Sequence, residues 1–396
     1  MQIIERKVKP LVEGKLAKMP AMALLGPRQC GKTTLSKMIG AKYFDLELES
    51  ARTRVEIQWE ELMAGAGLVV FDEAQVHPAV FSRLRSSIDE DRGRNGRFLI
   101  LGSVSPALMR QVSESLAGRL GIVELTPLLL DEVGAAHLDA LWLNGGFPGG
   151  GVLGGEMFPD WQLDYLRLLA ERDLPEWGLS ALPSLTVRLM KMTAALNAQP
   201  LNLSQIGQSL GISHPTVRGY LDFLEGAYLL RSLHPYHANV KKRLVKAPRM
   251  YWRDSGLLHA LLGVKTYDQL LEHPSVGWSW EGFVVEQVVS TIRMLGGVAD
   301  FFYFRTSDGY EVDLIVDMGV ERWGIEVKFT TSPSPEDLGK LRQSAEMCGC
   351  TRHFLVSRTA DSIASASGGS LNLEALLGEI HKLLQSTDRS SGTIIG

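Results

Sequence analysis

Five apolar residues, Ala21–Leu25, run directly into Gly26-Pro27-Arg28-Gln29-Cys30-Gly31-Lys32-Thr33-Thr34, and a helical stretch follows at once. The spacing G-x-x-x-x-G-K-T between strand and helix leaves a chain few options. Such a loop turns its backbone N–H groups, and the helix N-terminus behind it, toward a β-phosphate; lysine and hydroxyl then fall where the β- and γ-phosphates and a magnesium ion would lie. The expectation is ATP with Mg²⁺ in a cradle from Gly26 to Thr34, with Lys32 on the phosphates and Thr33 on the metal. A chance match to a short pattern is the alternative, and a strand and a helix both in register argue against it. Arg28, inside the loop, braces it or faces solvent.

Four apolar runs, Ala21–Leu25, Leu68–Phe71, Phe98–Leu101 and Ile122–Leu125, alternate with helical stretches. That is the pattern of a doubly wound α/β fold with a buried parallel sheet. The second run ends in Asp72-Glu73. Asp72 is suited to the magnesium shell and Glu73 to polarising the attacking water, unless one of them merely caps the next helix. The third run ends in Gly102-Ser103, where Ser103 would sense the γ-phosphate or simply close a turn. Arg119, after Ser-Leu-Ala-Gly, is a candidate charge-stabilising finger toward a neighbouring subunit in a homo-oligomer, or an ordinary surface arginine.

A chain of 396 residues calls for two or three domains. Its net charge of −4 gives no whole-chain reason for nucleic-acid or membrane binding, so any such claim must rest on a local patch. Cys30, Cys348 and Cys350 make no disulfide framework, no Cys/His spacing suggests zinc, and no apolar run is long enough for a bilayer. The expectation is a cytoplasmic protein without a membrane partner.

In the middle of the chain, Leu203–Gly211 and Ser213–Leu224 read as two helices about a tight turn: Gly211 ends the first, Ser213 caps the second, and Pro215 sits in its first turn. This helix-turn-helix pattern suggests a helix that enters a DNA major groove, with His214, Thr216, Arg218 and Tyr220 exposed upon it. Lys241, Lys242, Arg243, Lys246 and Arg249 follow with no acid among them, a footprint suited to phosphates of double-stranded DNA. A packing module with a solvated basic face fits the same residues.

Toward the C-terminus, Tyr310–Val316 and Trp323–Phe329 read as a hairpin around Gly319. A two-residue turn at Gly319-Val320 would set Asp313 opposite Glu326, with Lys328 on the face of Glu326. Glu281, opening the preceding helix, could complete a metal site. Glu281, Asp313 and Glu326-x-Lys328 resemble the PD-(D/E)XK nuclease superfamily, whose acids hold Mg²⁺ and whose lysine helps orient water. The other readings are a fold of this kind that no longer cuts, or a solvent-facing strand of alternating charge.

Taken together, Gly-Pro-Arg-Gln-x-Gly-Lys-Thr-Thr (26–34), Phe-Asp-Glu-Ala-Gln (71–75), Ser-Leu-Ala-Gly-Arg (115–119), Glu-Arg-Asp (171–173), Val-Lys-Lys-Arg-Leu-Val-Lys-Ala-Pro (240–248), Tyr-Glu-Val-Asp-Leu (310–314) and Ile-Glu-Val-Lys (325–328) resemble bacterial and archaeal AAA-type ATPases that carry a C-terminal domain of unknown function numbered 4143. The resemblance implies a P-loop ATPase core, a winged-helix-like middle and a nuclease-like C-terminal fold. Two departures stand out: Leu101 replaces a usual Thr, and Trp252-Arg253-Asp254-Ser255 replaces a more apolar Phe-Leu-Asp-Thr. The expected division is a P-loop domain over 1–130, a helical linker over 131–184, a winged-helix-like unit over 185–265, a nuclease-like unit over 266–386 and a disordered tail over 387–396. The expected activity is an ATPase acting on a partner such as DNA. An ATP-regulated nuclease and a non-catalytic ATP-binding scaffold are the alternatives.

Overall fold

A computed structural model describes residues 3–40, 42–102, 116–154, 156–237 and 244–391, with the side chains of 387–391 left aside. The uninterrupted apolar runs β1 (Ala21–Leu25), β3 (Val69–Asp72) and β4 (Phe98–Gly102) are strands buried throughout. With the more exposed edge strands β2 (Lys42–Asp45) and β5 (Leu120–Glu124) they form one all-parallel sheet in the order β2-β3-β4-β1-β5. Ala21, Ala23 and Leu25 enter the core on one face, and Met22 and Leu24 the core on the other. The inner strand β1 delivers the loop at 26–31, and its neighbour but one, β3, delivers Asp72 to the same carboxyl edge. Ligands of open α/β sheets bind at this edge.

The middle of the chain holds three packed helices, Pro183–Ala195, Leu203–Leu210 and His214–Gly226. The turn between the last two has the expected chemistry: Gly211 adopts φ +71°, and Ser213 Oγ accepts from Thr216 N at 3.3 Å. Asn202 caps the first helix of the pair through Gln205 N at 3.1 Å.

The remaining strands make a mixed sheet of eight: β6 (Leu230–Pro235), β7 (Arg249–Trp252), β8 (Asp300–Arg305), β9 (Glu311–Asp317), β10 (Arg322–Val327), β11 (Arg352–Val356), β12 (Ile363–Ser365) and β13 (Gly368–Leu371), ordered β12-β13-β11-β10-β9-β8-β6-β7. Because β6 pairs in parallel with β8, the expected division at 265/266 runs through a shared sheet. The small, polar stretch 361–370 contains β12 and part of a β-pair with β13. Helix Val276–Met294 and helix Leu373–Ser391 cover one face of this sheet, and helix Pro335–Met347 covers the other. Among the described residues, no helix is long and apolar enough to cross a membrane.

Candidate functional site

The loop after β1 closes on its own backbone. Gln29 and Gly31 take left-handed conformations at φ +62° and +105°. Alternating hands of this kind turn successive N–H groups to one side and make an anion-binding nest. A Cβ on Gly26 would lie 2.1 Å from the carbonyl oxygen of Leu125, so this position admits no side chain. Lys32, buried at the start of helix Lys32–Ile39, donates to the carbonyls of Gly26 and Pro27 at 3.0 and 2.8 Å.

Thr33 Oγ1 donates to Asp72 Oδ2 at 2.8 Å, so the strand-end acid and the loop hydroxyl meet. Tyr43, reaching across from β2, donates to the same oxygen at 2.6 Å. Burial, reinforced by this carboxylate, pushes the Tyr43 hydroxyl well above its ordinary pKa and keeps it a donor. Glu73 follows in a left-handed conformation, φ 50° and ψ 43°, and Gln75 Nε2 donates to its carboxylate. These residues fit a hydrated divalent ion and a triphosphate chemically: a hydroxyl and a carboxylate oxygen in contact, an ammonium within the nest, and a second carboxylate alongside.

A cleft of about 590 Å³ opens beside the loop, with Arg28, Lys32, Thr33 and Glu73 on its polar side. Ile4, Leu128, Pro148 and Leu153 supply an apolar side that sequence reading misses. Pro148 and Leu153 belong to a Gly-rich stretch, 145–154, which shows no periodicity to betray a binding wall. Arg28 Nη1 is bonded to Asp173 Oδ1 at 2.8 Å, and Tyr165 donates to the Arg28 carbonyl at 3.3 Å. Asp173 reaches the loop from a π-helical turn, Leu169–Asp173, so the segment expected as a linker helps build the cleft. Burial raises the pKa of Asp173, with Arg28 opposing.

One other expected residue lies elsewhere. Arg119 grips Asp89 of its own chain through paired bonds of 2.9 Å, away from the phosphate loop. Ser103 lies outside the described residues. Among the DNA candidates, His214, Arg218 and Lys246 are exposed, the Thr216 hydroxyl shares a bond with Ser213 at 2.8 Å, and Tyr220 is half-buried against the middle core. Lys241, Lys242 and Arg243 lie outside the described residues. Arg249 is not part of a solvated patch: it is 2% exposed on β7.

The C-terminal acids converge, but on Arg249. The hairpin has the expected two-residue turn: Gly319 takes φ +81° and Ile325 pairs with Leu314, a register that sets Glu326 across from Asp313. Glu281 Oε1 and Asp313 Oδ1 each accept from Arg249 Nη1, at 3.2 and 3.1 Å, while Glu311 pairs with Nη2. Tyr251 donates to Glu281 at 2.8 Å, Val327 N to Asp313 Oδ2 at 2.9 Å, and Lys328 to Glu326 at 2.7 Å. Burial, and then the Asp313 charge, raise the carboxyls of Glu281 and Glu326 well above the usual range. Both faces of this strand pair are buried, so the reading of a solvent-facing charged strand is corrected. At the candidate metal site of Glu281, Asp313 and Glu326 with Lys328, the carboxylates pair instead with Arg249 and Lys328. Among the described residues, no group of three or more His, Cys, Asp or Glu is disposed to hold a metal ion.

Comparison with known proteins divides the chain in three. Residues 18–134 match the AAA domain, residues 135–268 a domain of unknown function (DUF8612), and residues 276–375 a domain of unknown function (DUF4143). The uncharacterized proteins Rv2008c of Mycobacterium tuberculosis and Mb2031c of Mycobacterium bovis are each 38% identical over 340 residues, covering 84% of this chain and 76% of theirs. Among solved structures, a RuvB variant of Thermotoga maritima aligns over 57% of this chain and 87% of its own, at 15% identity and a TM-score of 0.27. A signal-transduction ATPase with numerous domains and a tetratricopeptide repeat sensor, from Pyrococcus horikoshii, aligns over 74% of this chain and 47% of its own, at 12% identity and a TM-score of 0.28.

Proposed function

From the premise that this chain belongs to the family of AAA-domain proteins with a C-terminal domain of unknown function 4143, we propose that it hydrolyses ATP with magnesium and uses the cycle to act on a partner, double-stranded DNA. The observation that carries the catalytic half is the contact between Thr33 and Asp72 beside the nest of Gly26–Thr34. When bound there, magnesium would neutralise charge on the β- and γ-phosphates.

The chain's own residues have separable roles in this reading. Lys32 exchanges two backbone carbonyls for phosphate oxygens, and Thr33 and Asp72 orient the ion's shell. Glu73, held by Gln75, takes the water proton; its left-handed backbone sets its side chain off the axis of β3 and into the cleft. Ile4, Leu128 and Leu153 offer an apolar wall for the base. Arg28 ties the phosphate loop to Asp173, a route by which nucleotide could be felt in the middle helices.

The test is Glu73→Gln, which keeps the shape of the side chain and removes its basicity. ATP binding should persist while turnover falls about 100-fold or more, the scale of a lost general base. Unchanged turnover would refute the base assignment.

A further inference from the structure

The carboxylates of the eight-stranded sheet look at first like a metal site in want of a metal. Geometry says the seat is taken. A divalent ion shared by Glu281 and Asp313 would need their oxygens within roughly 2.0–2.6 Å of one point. The atom that Glu281 Oε1 and Asp313 Oδ1 already share is Arg249 Nη1, at 3.2 and 3.1 Å. A guanidinium and a metal ion cannot both stand there.

The guanidinium is also hard to displace. It does not lose its proton in proteins, so no accessible pH vacates the seat. It is 2% exposed, packed beneath the Tyr303 ring at 4.9 Å, and further paired with Glu311. Ejecting it would strand a buried cation and leave Glu311 without this partner. The second oxygen of Asp313 is spoken for by Val327 N, and Glu281 Oε1 is also held by Tyr251.

We infer that Arg249 is a tethered cation standing in the seat a divalent metal would require, so that this carboxylate cluster works without metal and becomes a metal site only when the guanidinium is removed. The charge it neutralises is real. Glu281, Glu311, Asp313 and Glu326 face Arg249 and Lys328, and Glu326 Oε2 is buried with no hydrogen-bond partner. Take Arg249 away and four acids are left with Lys328 and with Arg305, 3.7 Å from Glu311, and with a spare oxygen at hand: the donor chemistry of a hard divalent cation. The sheet edge that resembles a nuclease is, on this reading, a rigid charge-paired junction between β7, β9 and helix Val276–Met294.

Manganese is the probe, since its free aqueous ion is counted directly by electron paramagnetic resonance. Nucleotide-free full-length protein is titrated as wild type, Arg249→Met, Arg249→Lys, and each with Asp313→Asn. Wild type should show no manganese binding that Asp313→Asn removes. Arg249→Met should gain one ion per chain, roughly 100-fold tighter than wild type and abolished by Asp313→Asn. Arg249→Lys keeps a cation in place and should gain none. An Asp313-dependent ion in wild type overturns the inference, and this arm needs no variant to fold. A folded Arg249→Met chain that gains no ion overturns it as well, with circular dichroism and ATP turnover reporting the fold.

Discussion

Arg6 Nη1 donates to the carbonyl of Cys30 and Nη2 to that of Thr126, each at 2.7 Å, while Nε pairs with Glu132 at 2.8 Å. One guanidinium thus ties the phosphate loop to the chain beyond β5. The Glu132 side chain is fully buried, and that of Arg6 is 7% exposed. Arg6→Ala should therefore cost about 3–5 kcal/mol of stability, because it strands a buried carboxylate as well as two carbonyls. Equilibrium urea unfolding measures this, and a loss under about 1 kcal/mol would mean the brace is incidental. Arg28 holds the loop on its other side through Asp173. Each arginine finds its shortest ion-pair partner more than 100 residues away in sequence. No local pattern could announce Arg6, which stands in a short stretch of alternating charge.

Among the elements, legibility follows how each one is buried. The runs at 21–25, 68–71 and 98–101 read clearly because a strand covered on both faces must be apolar throughout. Strand β2 escapes notice: it lies at the sheet edge with Lys42 exposed and Tyr43 half-buried, and so Tyr43, a partner of Asp72, is missed with it. Strand β7 hides at the end of a basic run, because the acids that neutralise Arg249 lie on a distant helix and strand. The spacing of Asp313 and Glu326 did announce their places across the hairpin, whereas nothing local announced the cation that binds Asp313 to Glu281. The helix pair Leu203–Leu210 and His214–Gly226 follows its caps closely, since capping is local chemistry. If that pair docks on duplex DNA with the basic loop beside it, Lys241/Lys242/Arg243→Ala should weaken binding about 10-fold or more and flatten its salt dependence. Fluorescence anisotropy at two salt concentrations checks this; binding indifferent to both salt and substitution removes the electrostatic case.

Across the molecule, an ion-pair network ties the ATPase sheet to the C-terminal sheet. Arg253 pairs with Glu124 at the end of β5 and donates to Glu286 of helix Val276–Met294 at 2.9 Å. Arg231 of β6 donates to the same carboxylate at 2.7 Å, and Arg293 reaches Glu124 at 3.1 Å. Burial alone would raise the Glu286 carboxyl; Arg231 and then Arg253 outweigh it and hold the pKa down, from an ordinary 4.5 to about 2. A depressed carboxylate contributes stability that is present above about pH 4.5 and lost as pH falls toward 2. For this wholly buried group the loss is about 3 kcal/mol, so acid titration of the unfolding midpoint should steepen across that window and flatten in Glu286→Gln. The proposed function turns on the carboxyl edge of the first sheet, where Thr33 meets Asp72 beside Lys32 and one Mg·ATP would be received. The most direct measurement is the affinity of a fluorescent ATP analogue with and without magnesium, in wild type, Thr33→Ala and Asp72→Asn. Magnesium should tighten binding in wild type, and either substitution should erase that gain while leaving metal-free binding in place; a wild-type chain with no nucleotide affinity, or variants as responsive to magnesium as wild type, would contradict it.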